Sequence, residues 1–76
     1  MGYQHGLNRA HREIIAQQVL NGASGEYVRG QIESMSASNS SNEWNYDANV
    51  TFASWLSRQG YVETARYLER RINGKT

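Results

Sequence analysis

The sequence predicts an all-α domain of four short helices, arranged as two helical hairpins joined by a polar linker. Three observations carry this prediction. Apolar residues recur at helical spacing in four separate segments, and no run alternates with period two for long enough to argue a strand. The chain has no proline to interrupt those segments. Each of them ends at a Gly, an Asn-Gly pair or a serine-rich stretch.

The helices are read in order. Residues 1–6 carry two glycines and no periodicity, which predicts a loose N-terminus. The first helix is expected from about Asn8 to Leu20. Asn8 caps it, while Leu7, Ile14, Ile15 and Val19 lie on one face with Ala10 and His11 between them. Asn21-Gly22 supplies its stop. The second helix is expected from Gly25 to Met35, with Ser24 as cap, Glu26 in the positive first turn and Val28, Ile32 and Met35 as the apolar line. Gly30 weakens this helix by about 1 kcal/mol relative to Ala.

Residues 36–43 are polar and of low complexity, the composition of a linker. Trp44 and Tyr46 break that character, and are either anchors that pin the loop to the core or exposed contact groups. The third helix is expected from Ala48 or Asn49 to Gln59, capped by Asp47 or Asn49, with Phe52, Ala53, Trp55, Leu56 and Gln59 on one broad side. Gly60 ends it, and the fourth helix follows from Val62 to Ile72. There Tyr61, Ala65, Leu68 and Ile72 form the cleanest stripe in the chain.

Size and composition limit what such a chain can do. Seventy-six residues make a single domain with a marginal core, since small domains keep much of their surface in water. With no cysteine, disulfides and thiolate metal sites are excluded, so association with a copy or a partner is the expected route to further stability. His5 and His11 are too few for a structural zinc site without carboxylate help. The longest purely apolar run, Ile14-Ile15-Ala16, falls far short of the roughly 20 residues of a membrane helix. No leader or lipidation signal is visible, so a cytoplasmic protein is expected. The two N-x-[ST] matches, at Asn39 and Asn49, are then chance.

No constellation argues for catalysis or a cofactor, and the expectation is a non-enzyme. His11 and Glu13, two residues apart on a helix, point in different directions, and His11 is expected at the edge of the apolar face. Gly22, Gly25 and Gly30 read as a helix stop, a helix start and a small packing residue, not as a phosphate-cradling loop. The oxygen donors of residues 39–47 lack the calcium-loop spacing.

Charge and aromatic content point to binding instead. The net charge is only +1, but residues 58–76 hold Arg58, Arg66, Arg70, Arg71 and Lys75 against Glu63 and Glu69. Seven of the eight cations are Arg, and there are eight aromatics; Arg, Trp and Tyr dominate binding hot spots. Arg66 and Arg70 lie one turn apart, on the side of the fourth helix away from Leu68. Their plainest role is to complement the helix dipole and pair with Glu63 and Glu69. Their functional role would be contact with an acidic protein surface or a phosphate backbone. A nucleic-acid-binding helix–turn–helix is disfavoured: the one-residue break at Gly60 is shorter than the usual turn, and Tyr61, Val62, Glu63 and Thr64 bring no cation to where base contacts would form.

The segment Phe52-Ala53-Ser54-Trp55-Leu56-Ser57-Arg58-Gln59-Gly60-Tyr61-Val62-Glu63-Thr64-Ala65-Arg66-Tyr67-Leu68 resembles the LisH motif, a short helical hairpin with a Gly-Tyr turn and a Thr-Ala start to its second helix. The resemblance implies homodimerisation through the third and fourth helices. The favoured reading is a small binding protein that acts by protein–protein contact, with the profile of phage- or mobile-element-encoded regulators and inhibitors of larger host proteins. The expected contact residues are Trp44, Tyr46, Arg66, Tyr67 and Arg70, with Tyr67 exposed because it lies off the Leu68 stripe. The alternatives are a nucleic-acid-binding hairpin and a homo-oligomeric structural component.

Overall fold

A computed structural model of the chain describes residues 4–39 and 43–74. They form four α-helices, α1 (Arg9–Leu20), α2 (Gly25–Ala37), α3 (Tyr46–Arg58) and α4 (Val62–Ile72), with no strand among the described residues. The all-α expectation holds. The helices α3 and α4 pack most closely, α4 also lies on α2, and α2 lies on α1.

Local chemistry explains where the helices begin. An opening turn leaves backbone N–H groups without intrahelical partners, and a short polar side chain can accept from them. The Asn8 side chain accepts from His11 N–H at 2.8 Å, Ser24 Oγ from Tyr27 N–H at 3.1 Å, and Asn45 Oδ1 from Ala48 N–H at 2.8 Å. Helix α4 starts at Tyr61 without a side-chain cap. Its start is instead set by the turn before it. Gly60 sits at φ +93°, a left-handed conformation that costs a side chain but not glycine. Around it Tyr61 N–H donates to Leu56 C=O at 2.9 Å and Gly60 N–H to Ser57 C=O at 3.0 Å, the paired bonds of a Schellman motif.

The core is one cluster to which every helix contributes. Leu7, Ile15, Val28, Ile32, Leu56, Leu68 and Ile72 are fully buried, and Val19, Phe52, Ala53 and Ala65 complete the cluster. Trp55 stacks on Phe52 with ring centroids 5.6 Å apart. The stripe read on the fourth helix is the inward face of α4.

Several expectations need correction. Of residues 1–6, expected as a loose N-terminus, 1–3 lie outside the described residues, and the chain is hydrogen-bonded to the body at residues 5 and 6. His5 N–H donates to Arg71 C=O at 2.9 Å, and Gly6 C=O accepts from Asn39 Nδ2 at 2.9 Å. Leu7 precedes α1 and is nonetheless buried. Asn49, expected as a possible cap, lies inside: its Oδ1 accepts from Leu7 N–H at 2.9 Å, and its Nδ2 donates to Leu7 C=O at 3.0 Å and to Asn45 C=O at 2.8 Å. Its amide thus pairs with the backbone of residue 7 as a neighbouring strand would, and the cap falls to Asn45.

The expected linker at 36–43 is shorter than its composition suggests. Helix α2 runs to Ala37, because Ser36 turns inward, accepting from Arg71 Nε at 2.7 Å and donating to Glu33 C=O at 3.4 Å. Asn39 is also buried; residues 40–42 lie outside the described residues. On α1, Ile15 takes the inward position and Ile14 is 47% exposed, because adjacent helical residues differ by about 100° in direction. Gln59 is exposed, as the C-cap of α3.

Candidate interaction surface

The two aromatics after the linker have different surroundings. Trp44 is partly buried and packs on the core, with its ring over Gly6 so closely that a Cβ there would overlap it. Tyr46 is 46% exposed on the first turn of α3. Its Oη donates to Asn73 Oδ1 at 2.7 Å, linking the start of α3 to the end of α4. The two rings lie tilted, 6.5 Å apart.

The three expected α4 residues also divide. Arg66 and Arg70 are exposed on the outer side of the helix. Arg66 pairs with Glu63 at 3.6 Å, an exposed i,i+3 contact that solvent screening makes weak. The second expected pair, Arg66–Glu69, does not form within 4 Å among the described residues, and Arg70 has no carboxylate in that range there. Beside Arg66 runs a shallow groove between α3 and α4, lined by Ser54, Ser57, Arg58, Val62 and Glu69 as well. Small serines on one bank leave room for another backbone.

Tyr67 is not the exposed residue that its place off the Leu68 stripe suggested. It is partly buried and packs on the core, because α2 covers that side of α4. The Arg29 guanidinium lies 4.7 Å from its ring centroid and that of Arg71 5.7 Å. The five expected residues therefore do not form one patch. Arg66 and Arg70 share the outer face of α4, Tyr67 belongs to the α2–α4 seam, Tyr46 stands at the joined ends of α3 and α4, and Trp44 covers Gly6.

In the sequence Arg71 is one of five C-terminal cations, and Arg29 belongs to no motif. Arg71 lies one turn after Tyr67 on α4, a neighbour that helical spacing encodes, whereas the closeness of Arg29 follows from α2 lying on α4, which no spacing along the chain encodes. His11 is half-buried, with Nδ1 3.1 Å from Asn39 Nδ2; since Asn39 also donates to Gly6, the imidazole nitrogen is the acceptor. Asn39 and Asn49 head the two N-x-[ST] matches. Both side-chain amides are buried and engaged, so neither is presented for glycosylation in this fold.

Among the described residues no three His, Asp or Glu side chains gather in a way that could hold a metal, and no helix is long and apolar enough to cross a membrane. Comparison with known proteins adds no relative: no family model, curated protein or solved structure matches the chain. The resemblance to the LisH motif therefore rests on residues 52–68 alone, which form the α3–α4 hairpin.

Proposed function

We propose that this chain is a non-enzymatic binding module of the cytoplasm that acts by occupying a surface on a larger protein, as a regulator or inhibitor does. The observation that carries the reading is the outer face of α4. Arg66 and Arg70 project there one turn apart, Arg70 without a carboxylate in reach among the described residues, beside the groove walled by Ser54 and Ser57. Arg70, with no carboxylate in range, and Arg66, held only by a weak exposed pair with Glu63, suit an acidic protein surface, because the planar guanidinium meets a carboxylate through two parallel bonds. The exposed Val62, which lines the same groove, adds apolar area.

Affinity capture from the native host lysate, with mass spectrometry of what is retained, tests the reading. A specific protein, retained at moderate salt and indifferent to nuclease, is the expected result. Nuclease-sensitive capture, together with tight and steeply salt-dependent binding in an anisotropy titration with DNA or RNA, would replace it with nucleic-acid binding. A closed oligomer in sedimentation that retains no foreign protein would replace it with self-assembly.

A further inference from the structure

The Arg29–Tyr67–Arg71 cluster has a charge arrangement that the fold alone leaves incomplete. Two guanidiniums share one aromatic ring, at 4.7 and 5.7 Å from its centroid. The ring's negative face attracts each of them, but their like charges oppose each other. Neither has a carboxylate within 4 Å among the described residues, although Glu26 and Glu33 line the same groove as Arg29 on α2.

The hydrogen bonds are also incomplete in one direction. Arg71 is fixed at its inner end, since Nε donates to the buried Ser36 Oγ at 2.7 Å. Nη1 donates to Tyr67 Oη at 3.3 Å. The Tyr67 hydroxyl is thus an acceptor in the cluster, and its own hydrogen is given to no acceptor among the described residues. Arg71 likewise keeps Nη2 unused there. A tyrosine O–H, a held guanidinium and a second, exposed guanidinium therefore stand together at the seam of α2 and α4.

We propose that this cluster binds a phosphoryl group, carried on a phosphorylated segment of the partner. Its two positive charges match a phosphoryl dianion better than a singly charged carboxylate. A phosphoryl group offers three acceptor oxygens to the donors gathered around the Tyr67 ring: its own O–H, the Arg71 Nη groups and the Arg29 guanidinium. Because Arg71 is already held by Ser36, binding orders little more than Arg29. The proposal rests on the reading of the chain as a binding module, but inorganic phosphate tests the site even if no protein partner is found.

The test is an NMR titration of the whole ¹⁵N-labelled chain with sodium phosphate, holding ionic strength constant with sodium chloride and following the Arg71 Nε–Hε resonance. A saturable shift is expected, half complete at about a few millimolar, as suits one small anion on an open site. R29Q, at an exposed position, weakens it about threefold with the fold intact, and Y67F also weakens it, whereas R9Q, on the exposed side of α1, leaves it unchanged. A linear shift that chloride reproduces, or a saturable one indifferent to R29Q and Y67F, would overturn the site. Equal saturation by acetate would overturn the phosphoryl assignment. Capture of a partner that survives phosphatase treatment and R29Q would leave the binding-module reading standing and remove this one.

Discussion

In the α3–α4 hairpin the backbone satisfies itself within the helices and the turn at Gly60, and apolar side chains such as Leu56, Ala65 and Leu68 fill the space between them. Residues 5–8 are held the other way. That segment precedes α1, and backbone groups of residues 5–7 are met by partners far along the chain: Arg71 C=O for His5, the Asn39 amide for Gly6 and the Asn49 amide for Leu7. One region is packed by apolar area with little directional demand. The other is fixed by a few buried amides, each of which costs most when one partner alone is removed.

Substitutions can break this contrast, beginning with the largest expected effect. Leu68→Ala, at a fully buried site on α4, is expected to cost about 3 kcal/mol and to unfold both regions together, as measured by urea denaturation followed by circular dichroism. Asn49→Ala is expected to cost about 2 kcal/mol, since it strands Leu7 N–H without its acceptor. In hydrogen exchange it should also speed the Leu7 amide more than the amides of α4. Equal acceleration everywhere would show that the N-terminal segment is no separate unit of stability.

Two glycines sharpen the comparison at smaller scale. Gly60→Ala is expected to cost about 1 kcal/mol, even though a Cβ there meets no neighbour, because the penalty lies in the left-handed backbone. Gly30→Ala adds a Cβ to open space in the interior of α2. It is expected to stabilise by about 0.8 kcal/mol, seen as a higher urea midpoint with unchanged slope.

The same contrast explains what could be read from the sequence. The α4 stripe, the Asn8 and Ser24 caps and the stop at Gly60 are local signals, and the structure places all of them as read. Around the start of α3, Asp47 and Asn49 read as caps by residue type, but the cap is Asn45, two residues earlier than the nearer of them. The choice fell to Asn45 because Asn49 is required 42 residues away, at Leu7. Ser36 and Asn39 read as linker by type, but are buried through contacts with Arg71 and Gly6. Of the expected contact residues, Arg66, Arg70 and Tyr46 are exposed, while Trp44 and Tyr67 are partly buried by elements distant in sequence. The pairing of Arg29 with Tyr67, 38 positions apart, left no mark in spacing at all.

Under the proposed function, partner contact is made through the outer face of α4. The most direct test is a side-by-side capture from host lysate with the wild-type chain and the Arg66→Glu/Arg70→Glu double variant. Both positions are exposed, so the variant is expected to match the wild type in circular dichroism and to stay within about 1–2 kcal/mol of it in unfolding free energy from urea denaturation. A protein retained by the wild type and lost by the variant is the expected result. A partner retained equally by both would contradict it.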